Sequence, residues 1–501
     1  MTYRNLRTWL LLLAHITCVQ LLCSPTAHGA IVISEFMAAN ASGLLDEDGD
    51  ASDWLELFNA GTTSVNLAGW RLTDNPDDFG KWTFPAVQLP ASKFLVVFAS
   101  GKNRAVAGAP LHTSFSLVGD GDYLALIKAD GVTVEFAYTP RFPPQYIDVS
   151  YGLSATNLTL QQFFGTPTPG ASNSFSPFIK VADTKFDPDR GLYETNILVT
   201  ITCATPGATI RYTLDGTAPT ATAGTVYAGP LTVTNTTTLR AAAFKAGLAS
   251  SDVDTHTYLF IRDVLTQSPL GQAPAGWPTS WGANTVDYGM DPEIVNTPPW
   301  RDTLTNDLRS IPSLSLVVRL SDLFDADTGI YANADQAGPL WERPMSLERL
   351  DPSGDPARQI HINGGVRIRG GFSRSYDDPK HSFHFFFRSE YGASRLNHPF
   401  FGPDAASSFS KFDLRSNQDD SWHFTGTKGE FLRDAFSRDS LLACGRVQTH
   451  GQFYHLYLNG QYWGLYTTEE RPDAAFGESY FGGNAADYDT VKAASGRSSV
   501  V

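Results

Sequence analysis

Two stretches in the C-terminal part of the chain, residues 364–392 and 454–473, concentrate side chains suited to chemistry. In the first, a lysine follows a glycine-bearing turn and a loop rich in arginine and serine. Ammonium, guanidinium and hydroxyl groups all donate hydrogen bonds to phosphate oxygens. The loop is therefore a candidate phosphate-binding site, and its candidate residues are Arg369, Ser373, Arg374 and Lys380. The alternative is a solvated lysine at a sheet edge.

The segment KHSFHFFFR, residues 380–388, alternates with the period of a β-strand. Its predicted faces carry His381, Phe383, Phe385 and Phe387 on one side, and Lys380, Ser382, His384, Phe386 and Arg388 on the other. The pattern therefore directs Lys380 away from the face richer in phenylalanine.

The second stretch predicts a β-hairpin, because Asn459-Gly460 lies between two aromatic-rich runs. Its second strand would carry Tyr462, Tyr466, Thr468 and Glu470 on one face and Trp463, Leu465, Thr467 and Glu469 on the other. Only one of the two glutamates could then share a cleft with Lys380. The alternative is a strand-end carboxylate that pairs with Arg471 or with solvent.

Several motifs, in a fixed order, resemble the CotH kinases, a family of secreted or surface-associated atypical protein kinases. They begin near Ile311 and include IPSLSLVV, WERPMSLE, RIRGGFSR, FLRDAFSRD and LYLNGQYWGLYTTEERPD. The resemblance implies ATP and Mg²⁺ as cofactors and a protein hydroxyl as the phosphate acceptor. It also implies that Lys380 binds nucleotide phosphates, and that Glu470 is the family glutamate that orients this lysine or helps to hold the metal.

A kinase also needs an aspartate that orients the nucleophile and a second acidic residue that holds magnesium. The resemblance places both of them downstream of the segment present here, and the sequence given ends at Val501. We therefore expect a fragment that lacks the catalytic and metal-binding aspartates, and whether it is an enzyme stays open at this point.

Composition and the N-terminus indicate the compartment and exclude one class of partner. The net charge of −15 argues against a nucleic-acid partner. Arg4 and Arg7 precede an apolar run that ends before a small-residue site near Gly29, which is typical of a secretory signal peptide over residues 1–29. We expect a secreted or cell-surface protein with no transmembrane segment after the signal is removed.

Residues 30–151 contain short apolar runs separated by Gly, Asp and Pro, a pattern that predicts a β-sandwich. The motifs DWLELFN (53–59) and LAGWRL (67–72) resemble the lamin-tail domain, which has an immunoglobulin-like fold. Within this segment four carboxylates cluster in a short loop and offer hard oxygen ligands for calcium. They are Asp46, Asp48, Asp50 and Asp53. The alternative is a solvated acidic turn, since the spacing is not that of an EF-hand.

The remaining segments divide by composition. Residues 152–178 are rich in Gly, Pro, Ser and Thr and predict a linker. Residues 179–260 resemble the chitobiase C-terminal domain, a fibronectin III-like sandwich, through ATIRYTLDGTAPT, and we expect an accessory spacer. Residues 261–310 form a connector whose tryptophans, at 277, 281 and 300, are expected to pack on the next domain. Residues 311–501 form the incomplete kinase-like domain, in which FLRDAFSRDSLLACG predicts a helix that buries Leu432, Ala435, Phe436, Leu442 and Ala443.

The expected fold is therefore multidomain and mainly β, with two sandwiches followed by the N-terminal part of an α+β kinase-like domain. The expected function is transfer of phosphate from a nucleotide to an extracellular or envelope protein. The alternative is a non-catalytic surface or adhesion protein that binds through its β-sandwich domains.

Overall fold

The structure is a computed structural model that describes residues 30–174, 178–281, 284–375, 378–421, 429–483, 485–494 and 497–500. The predicted signal peptide lies outside these residues. Within the described ranges, no helix is both long enough and apolar enough to cross a bilayer.

The first domain is a sandwich of two antiparallel sheets. Its strands are β1 (Ile31–Met37), β2 (Trp54–Asn59), β3 (Val65–Asn66), β4 (Arg71–Thr73), β5 (Trp82–Thr83), β6 (Gln88–Leu89), β7 (Phe94–Phe98), β8 (Leu124–Ile127), β9 (Val134–Tyr138), β10 (Ser150–Ser154) and β11 (Asn157–Phe164). One sheet has the order β11-β10-β1-β2-β7 and the other β5-β4-β8-β9, while β3 and β6 form a separate pair. Every residue of β1 is buried, because this strand is central in its sheet and its inner face meets the opposite sheet.

The linker predicted for residues 152–178 is wrong over much of its length. Strand β11 and the last three residues of β10 fall within this range, and both strands belong to the first sheet. The following segment is held on that sheet by two buried carboxylates. Glu35 accepts hydrogen bonds from Thr168, and Glu56 accepts one from the Gly170 backbone at 2.5 Å. The Gly, Pro and Thr residues here form a tight turn around Thr168 and Gly170 that packs on the sheet, and we call it the docked turn. Composition alone does not distinguish such a turn from a flexible linker.

The second domain is a smaller sandwich. Its strands are β12 (Thr184–Asp187), β13 (Gly191–Tyr193), β14 (Ile197–Cys203), β15 (Thr209–Thr213), β16 (Thr225–Val226), β17 (Leu231–Val233), β18 (Thr237–Phe244) and β19 (Asp254–Phe260). The sheet β12-β14-β17 packs on the sheet β13-β19-β18-β15-β16 around Val199, Ile201 and Leu239.

The connector contains three short helices and one short strand pair. They are α1 (Ile261–Leu265), β20 (Ser280–Trp281), β21 (Asn284–Thr285), α2 (Pro292–Asn296) and α3 (Trp300–Asp307). Trp277 and Trp281 pack on the core of the following domain, as expected. Trp300 does not, since it is 52% exposed at the start of α3.

The C-terminal region is built on a closed barrel with the strand order β22-β23-β24-β25-β28-β30-β29. Its elements are β22 (Ser313–Val318), α4 (Leu320–Phe324), β23 (Arg343–Leu350), β24 (Ile360–Arg369), β25 (Ser382–Phe386), β26 (Leu396–Asn397), β27 (Ser408–Phe409), β28 (Lys411–Arg415), α5 (Arg433–Ala443), β29 (Phe453–Leu458), β30 (Gln461–Glu469), α6 (Ala474–Phe481), β31 (Val491–Ala494) and β32 (Arg497–Val500). Alternation along β25 places Phe383 and Phe385 in the barrel core, as predicted.

The second sandwich packs directly on the barrel, so it is not the free spacer that the sequence suggested. Glu348, on the outer face of β23, has no solvent exposure. It accepts hydrogen bonds from Arg190 Nη1 and from the Thr257 backbone, each at 3.1 Å. An apolar cluster that includes Leu259, Leu350 and Tyr457 extends the same interface. The first sandwich also contacts the C-terminal region, through a hydrogen bond from the Ser394 backbone to Asp120 at 2.9 Å.

Candidate functional site

The predicted hairpin is confirmed, with one irregularity that defines the candidate site. Asn459 and Gly460 form the two-residue turn with φ values of 46° and 81°. Leu456 pairs with Gly464 but Tyr457 pairs with Tyr462, so Trp463 is an extra residue in β30. This is a β-bulge, and Gly464 adopts the positive φ of 126° that it requires.

The bulge changes which side chains face the barrel interior. Trp463 and Tyr466 both lie in the core, although regular alternation had predicted opposite faces for them. The Trp463 indole donates a hydrogen bond to the Tyr331 hydroxyl at 3.2 Å. The same hydroxyl accepts a hydrogen bond from the His381 backbone at 3.0 Å and so fixes the chain just before β25.

Lys380 lies against this bulge. Its Nζ donates a hydrogen bond to the Trp463 carbonyl at 2.6 Å. A Cβ atom at position 464 would lie 3.0 Å from the same Nζ, so the glycine makes room for the ammonium group. The residue as a whole is exposed, although its ammonium lies against the bulge; we call this position beside Trp463 and Gly464 the recess. Removal of the ammonium from bulk water lowers the pKa of Lys380 to about 8.

Glu470 does not share this recess. The residue is almost fully buried. Its carboxylate accepts hydrogen bonds from the His450 backbone and from Tyr480 Oη, each at 2.7 Å. Six residues of β-structure separate it from Gly464, which corresponds to roughly 20 Å at about 3.3 Å per residue. The predicted convergence of Lys380 and Glu470 on one pocket is therefore wrong.

Glu469 is also distant from the lysine, five residues along the strand from Gly464. It pairs with Arg415 at 3.2 Å, and Arg415 also pairs with Asp434 of α5. Neither neighbouring glutamate therefore orients Lys380. The expectation failed because Lys380 enters at one end of the barrel, whereas β30 runs toward the other end before it reaches the glutamates.

The three loop residues predicted to bind nucleotide phosphates occupy different environments. Arg369 pairs with Asp413 at 2.6 Å on the outer face of the barrel. The Ser373 carbonyl accepts a hydrogen bond from His381 Nδ1 at 3.2 Å, which ties the loop to the strand that follows Lys380. Arg374 Nε is buried without a hydrogen-bond partner among the described residues. Of the predicted set, only Lys380 presents its charge to the recess at the bulge.

Sequence reasoning missed Trp463, Gly464 and Tyr331 as parts of this recess. A signal was present for the bulge, because Gly464 is an isolated glycine within a strand pattern, which often marks a bulge or a close backbone approach. Tyr331 lies 132 residues from Trp463 in sequence, so no local pattern could indicate that the two side chains meet.

The predicted helix forms as α5, but its buried face differs from the expectation. Ala435 and Arg438 are its buried residues, whereas Phe436 is 73% exposed. Arg438 is buried because its Nη2 donates a hydrogen bond to the Gly451 carbonyl and its guanidinium packs against Gly451. The helical period alone placed the apolar residues inward and gave no weight to this polar contact.

The acidic loop of the first sandwich binds the ammonium group of a lysine from the same domain. Lys102 Nζ lies 2.6, 2.7 and 2.8 Å from carboxylate oxygens of Asp46, Asp48 and Asp50. These hydrogen bonds raise the pKa of Lys102 and hold it charged. Asp53 is not part of the cluster. It is largely buried, it accepts a hydrogen bond from the Asn40 backbone at 3.1 Å, and burial raises its pKa to about 7.

The geometry defines a mainly β, multidomain protein in which two sandwiches are docked on a barrel with a lysine-containing recess. Comparison with known families identifies the modules. Residues 24–140 match the Lamin Tail Domain, residues 188–255 match the Chitobiase/beta-hexosaminidase C-terminal domain, and residues 366–499 match the CotH kinase protein family. The three resemblances inferred from the sequence are confirmed, in the same order along the chain. No curated protein matches the chain.

A kinase-like family implies a nucleotide and a divalent metal, and the described residues fit these two groups unequally. The Lys380 ammonium uses one donor on the Trp463 carbonyl, and an ammonium has further donors that suit a phosphate oxygen. A metal requires a set of oxygen ligands. Across the described ranges, the one group of three acidic, histidine or cysteine side chains close enough to share an ion is Asp46, Asp48 and Asp50, in the first sandwich. The described part of the kinase-like region supplies no such set.

Proposed function

We propose that this chain contains the nucleotide-binding part of a secreted protein kinase. One observation carries the proposal: within the segment that matches the CotH kinase family, the Lys380 ammonium lies against a strand bulge, at the end of an exposed residue. One of its three N–H donors is used by the Trp463 carbonyl, and this contact orients the group.

In this proposal the chain's own residues bind and position the nucleotide. Lys380 neutralises charge on the phosphates, including the charge that develops during transfer to a protein hydroxyl. The Tyr331 hydroxyl and the bulge hold the lysine, since they fix the backbone on both sides of the recess. Because the described residues do not supply a metal-ligand set, no step is assigned to magnesium.

The first test is equilibrium binding of ATP to the chain. Lys380→Ala should weaken binding by about tenfold or more, the loss expected for one charge-assisted contact. Lys185→Ala, on the exposed β12 of the second sandwich, is a charge-matched control and should bind as the unaltered protein does. Equal affinities for the two variants would discard the assignment of Lys380.

The second candidate is the non-catalytic surface or adhesion protein. The separation of Lys380 from Glu470 by roughly 20 Å favours it, because the paired charges expected of a kinase site are not assembled. This function predicts no ATP binding, and no transfer of labelled phosphate to proteins even by a longer chain. Transfer that depends on Lys380 in such a chain would instead establish the kinase.

A further inference from the structure

A second recess, with a volume of about 350 Å³, opens at the end of the barrel opposite Lys380. Strand directions define the two ends. Lys380 precedes β25 at the end where β24 stops, whereas the second recess lies where β23 stops and β24 and β29 begin. We call it the mouth cleft, and it is lined by Arg349, Arg358, His398, Phe400 and Gln452, among others. Barrel mouths are frequent ligand sites.

The Arg349 side chain lies on the inner face of the barrel. Met345 and Leu347 lie in the core, and the period of two along β23 places Arg349 on the same side, at the mouth. Its side chain is only 11% exposed. Its guanidinium contacts the Asp351 carboxylate at 3.3 Å, and Arg349 Nε has no hydrogen-bond partner among the described residues. A largely buried guanidinium with an unused donor is costly unless something completes its bonding.

The rest of the lining includes His398, Arg358 and Phe400. His398 Nε2 donates a hydrogen bond to the Ala357 carbonyl at 3.0 Å, because a carbonyl can only accept. His398 Nδ1 is buried without a hydrogen-bond partner among the described residues. Arg358 lies at the rim, with a side chain 61% exposed, and Phe400 forms an apolar floor. The lining itself contains no acidic side chain among the described residues, but each arginine has a carboxylate beside it, Asp351 for Arg349 at 3.3 Å and Asp355 for Arg358 at 3.7 Å.

We propose that the mouth cleft binds a small oxyanion, carried as phosphate or as carboxylate. Two guanidinium groups line this cavity, and each has five N–H donors, more than its contact with Asp351 or Asp355 uses, in a planar arrangement that suits a bidentate oxyanion. The apolar floor accepts the carbon part of an organic ligand, while the anionic group lies between Arg349 and Arg358. The cleft is separate from the recess at Lys380, and the proposal does not depend on kinase activity.

The test measures binding of inorganic phosphate by calorimetry in the Lys380→Ala protein, so that phosphate at the proposed nucleotide site does not contribute. Saturable binding is expected at millimolar phosphate. Arg349→Gln and Arg358→Gln should each weaken it by about tenfold. Arg301→Gln, on the exposed helix α3, is the matched control and should bind unchanged.

Further ligands distinguish the source of the oxyanion. Phosphoserine and succinate are compared with phosphate, and tighter binding of one organic ligand assigns the cleft to that class. Because Arg349→Gln also removes a contact to Asp351, Arg358→Gln at the exposed rim provides a variant whose folding is not at risk. The proposal is overturned if phosphate, phosphoserine and succinate all fail to bind, or if Arg358→Gln and Arg301→Gln bind phosphate equally.

Discussion

Arg190 of the second sandwich and Glu348 of the barrel form an ion pair of 3.1 Å across a domain boundary. Glu348 is completely buried, and only 10% of the Arg190 side chain is exposed. Burial raises the pKa of Glu348, while Arg190 acts in the opposite direction. The pair therefore exists only while the two domains remain docked. Changes in its energy measure how strongly the second sandwich associates with the barrel.

Removal of one partner should be far more damaging than replacement of both. Arg190→Ala leaves the carboxylate buried without its counter-charge and should lower the free energy of unfolding by about 3–5 kcal/mol. Arg190→Met combined with Glu348→Gln removes both charges and should recover most of that loss. Denaturant unfolding of the single and double variants measures the coupling. Arg211→Ala, a partly exposed arginine on β15 of the second sandwich, serves as the control. Additive losses in the Arg190 and Glu348 variants would show that the pair is not coupled.

Gly464 allows a test of the recess that leaves the lysine itself in place. In Gly464→Ala the new Cβ would lie 3.0 Å from Lys380 Nζ, so the ammonium must move. ATP affinity should fall about as far as in Lys380→Ala, and the strained φ should cost about 1–3 kcal/mol of stability. Gly247→Ala is the matched control, since Gly247 also has a positive φ but no atom lies within 4 Å of a Cβ there. If both variants bind ATP normally, the recess is not the nucleotide site.

Local patterns in the sequence predicted the elements of the barrel well. Alternation over residues 380–388 identified β25 and its inward phenylalanines, and Asn459-Gly460 identified the hairpin, because both signals act between near neighbours. The same reasoning failed at Trp463. One extra residue in β30 reverses the faces that follow it, so alternation placed Trp463 and Tyr466 on opposite sides.

Relationships over long distances in sequence were not predictable in the same way. Lys102 fills the acidic loop from more than fifty residues away, and Glu348 meets Arg190 from 158 residues away. The aspartate cluster therefore resembled a calcium site, because the local sequence does not include Lys102. The second sandwich resembled a spacer, because its own sequence does not include Glu348 of the barrel. The prediction for the candidate site failed for the same reason. Lys380 and Glu470 lie toward different ends of the barrel, and no local motif in the sequence indicates this separation.

The acidic loop should bind calcium only after its lysine is removed. Lys102→Met leaves Asp46, Asp48 and Asp50 close together without the ammonium that neutralises them. The melting temperature of this variant should fall without calcium and recover in millimolar calcium, whereas the unaltered protein should not respond. Thermal melting with and without calcium measures the effect. Lys93→Met, an exposed lysine in the same sandwich, is the control. A calcium response of the unaltered protein would contradict the assignment of Lys102 as the resident cation.

The two buried glutamates under the docked turn should make the first sandwich sensitive to pH. Burial raises the pKa of Glu56 to about 7, although hydrogen bonds from Ser34 and Gly170 oppose this shift, and burial raises the pKa of Glu35 as well. A carboxyl group whose pKa is raised by folding binds its proton more tightly in the folded state. Its stabilising contribution is therefore complete below the unfolded pKa of about 4.3 and declines as pH rises toward about 7.

Hydrogen exchange of peptides that cover β1, β2 and the docked turn measures this decline locally. Between about pH 4.3 and 7 the free energy of local opening should fall by up to about 1.4 kcal/mol per pH unit. Glu56→Gln removes one of the two titrating groups and should reduce the slope. Glu293→Gln, on the exposed helix α2, should keep the slope of the unaltered protein. Equal slopes for Glu56→Gln and Glu293→Gln would show that Glu56 does not titrate in this range, and the buried pair would then hold the turn equally at every pH.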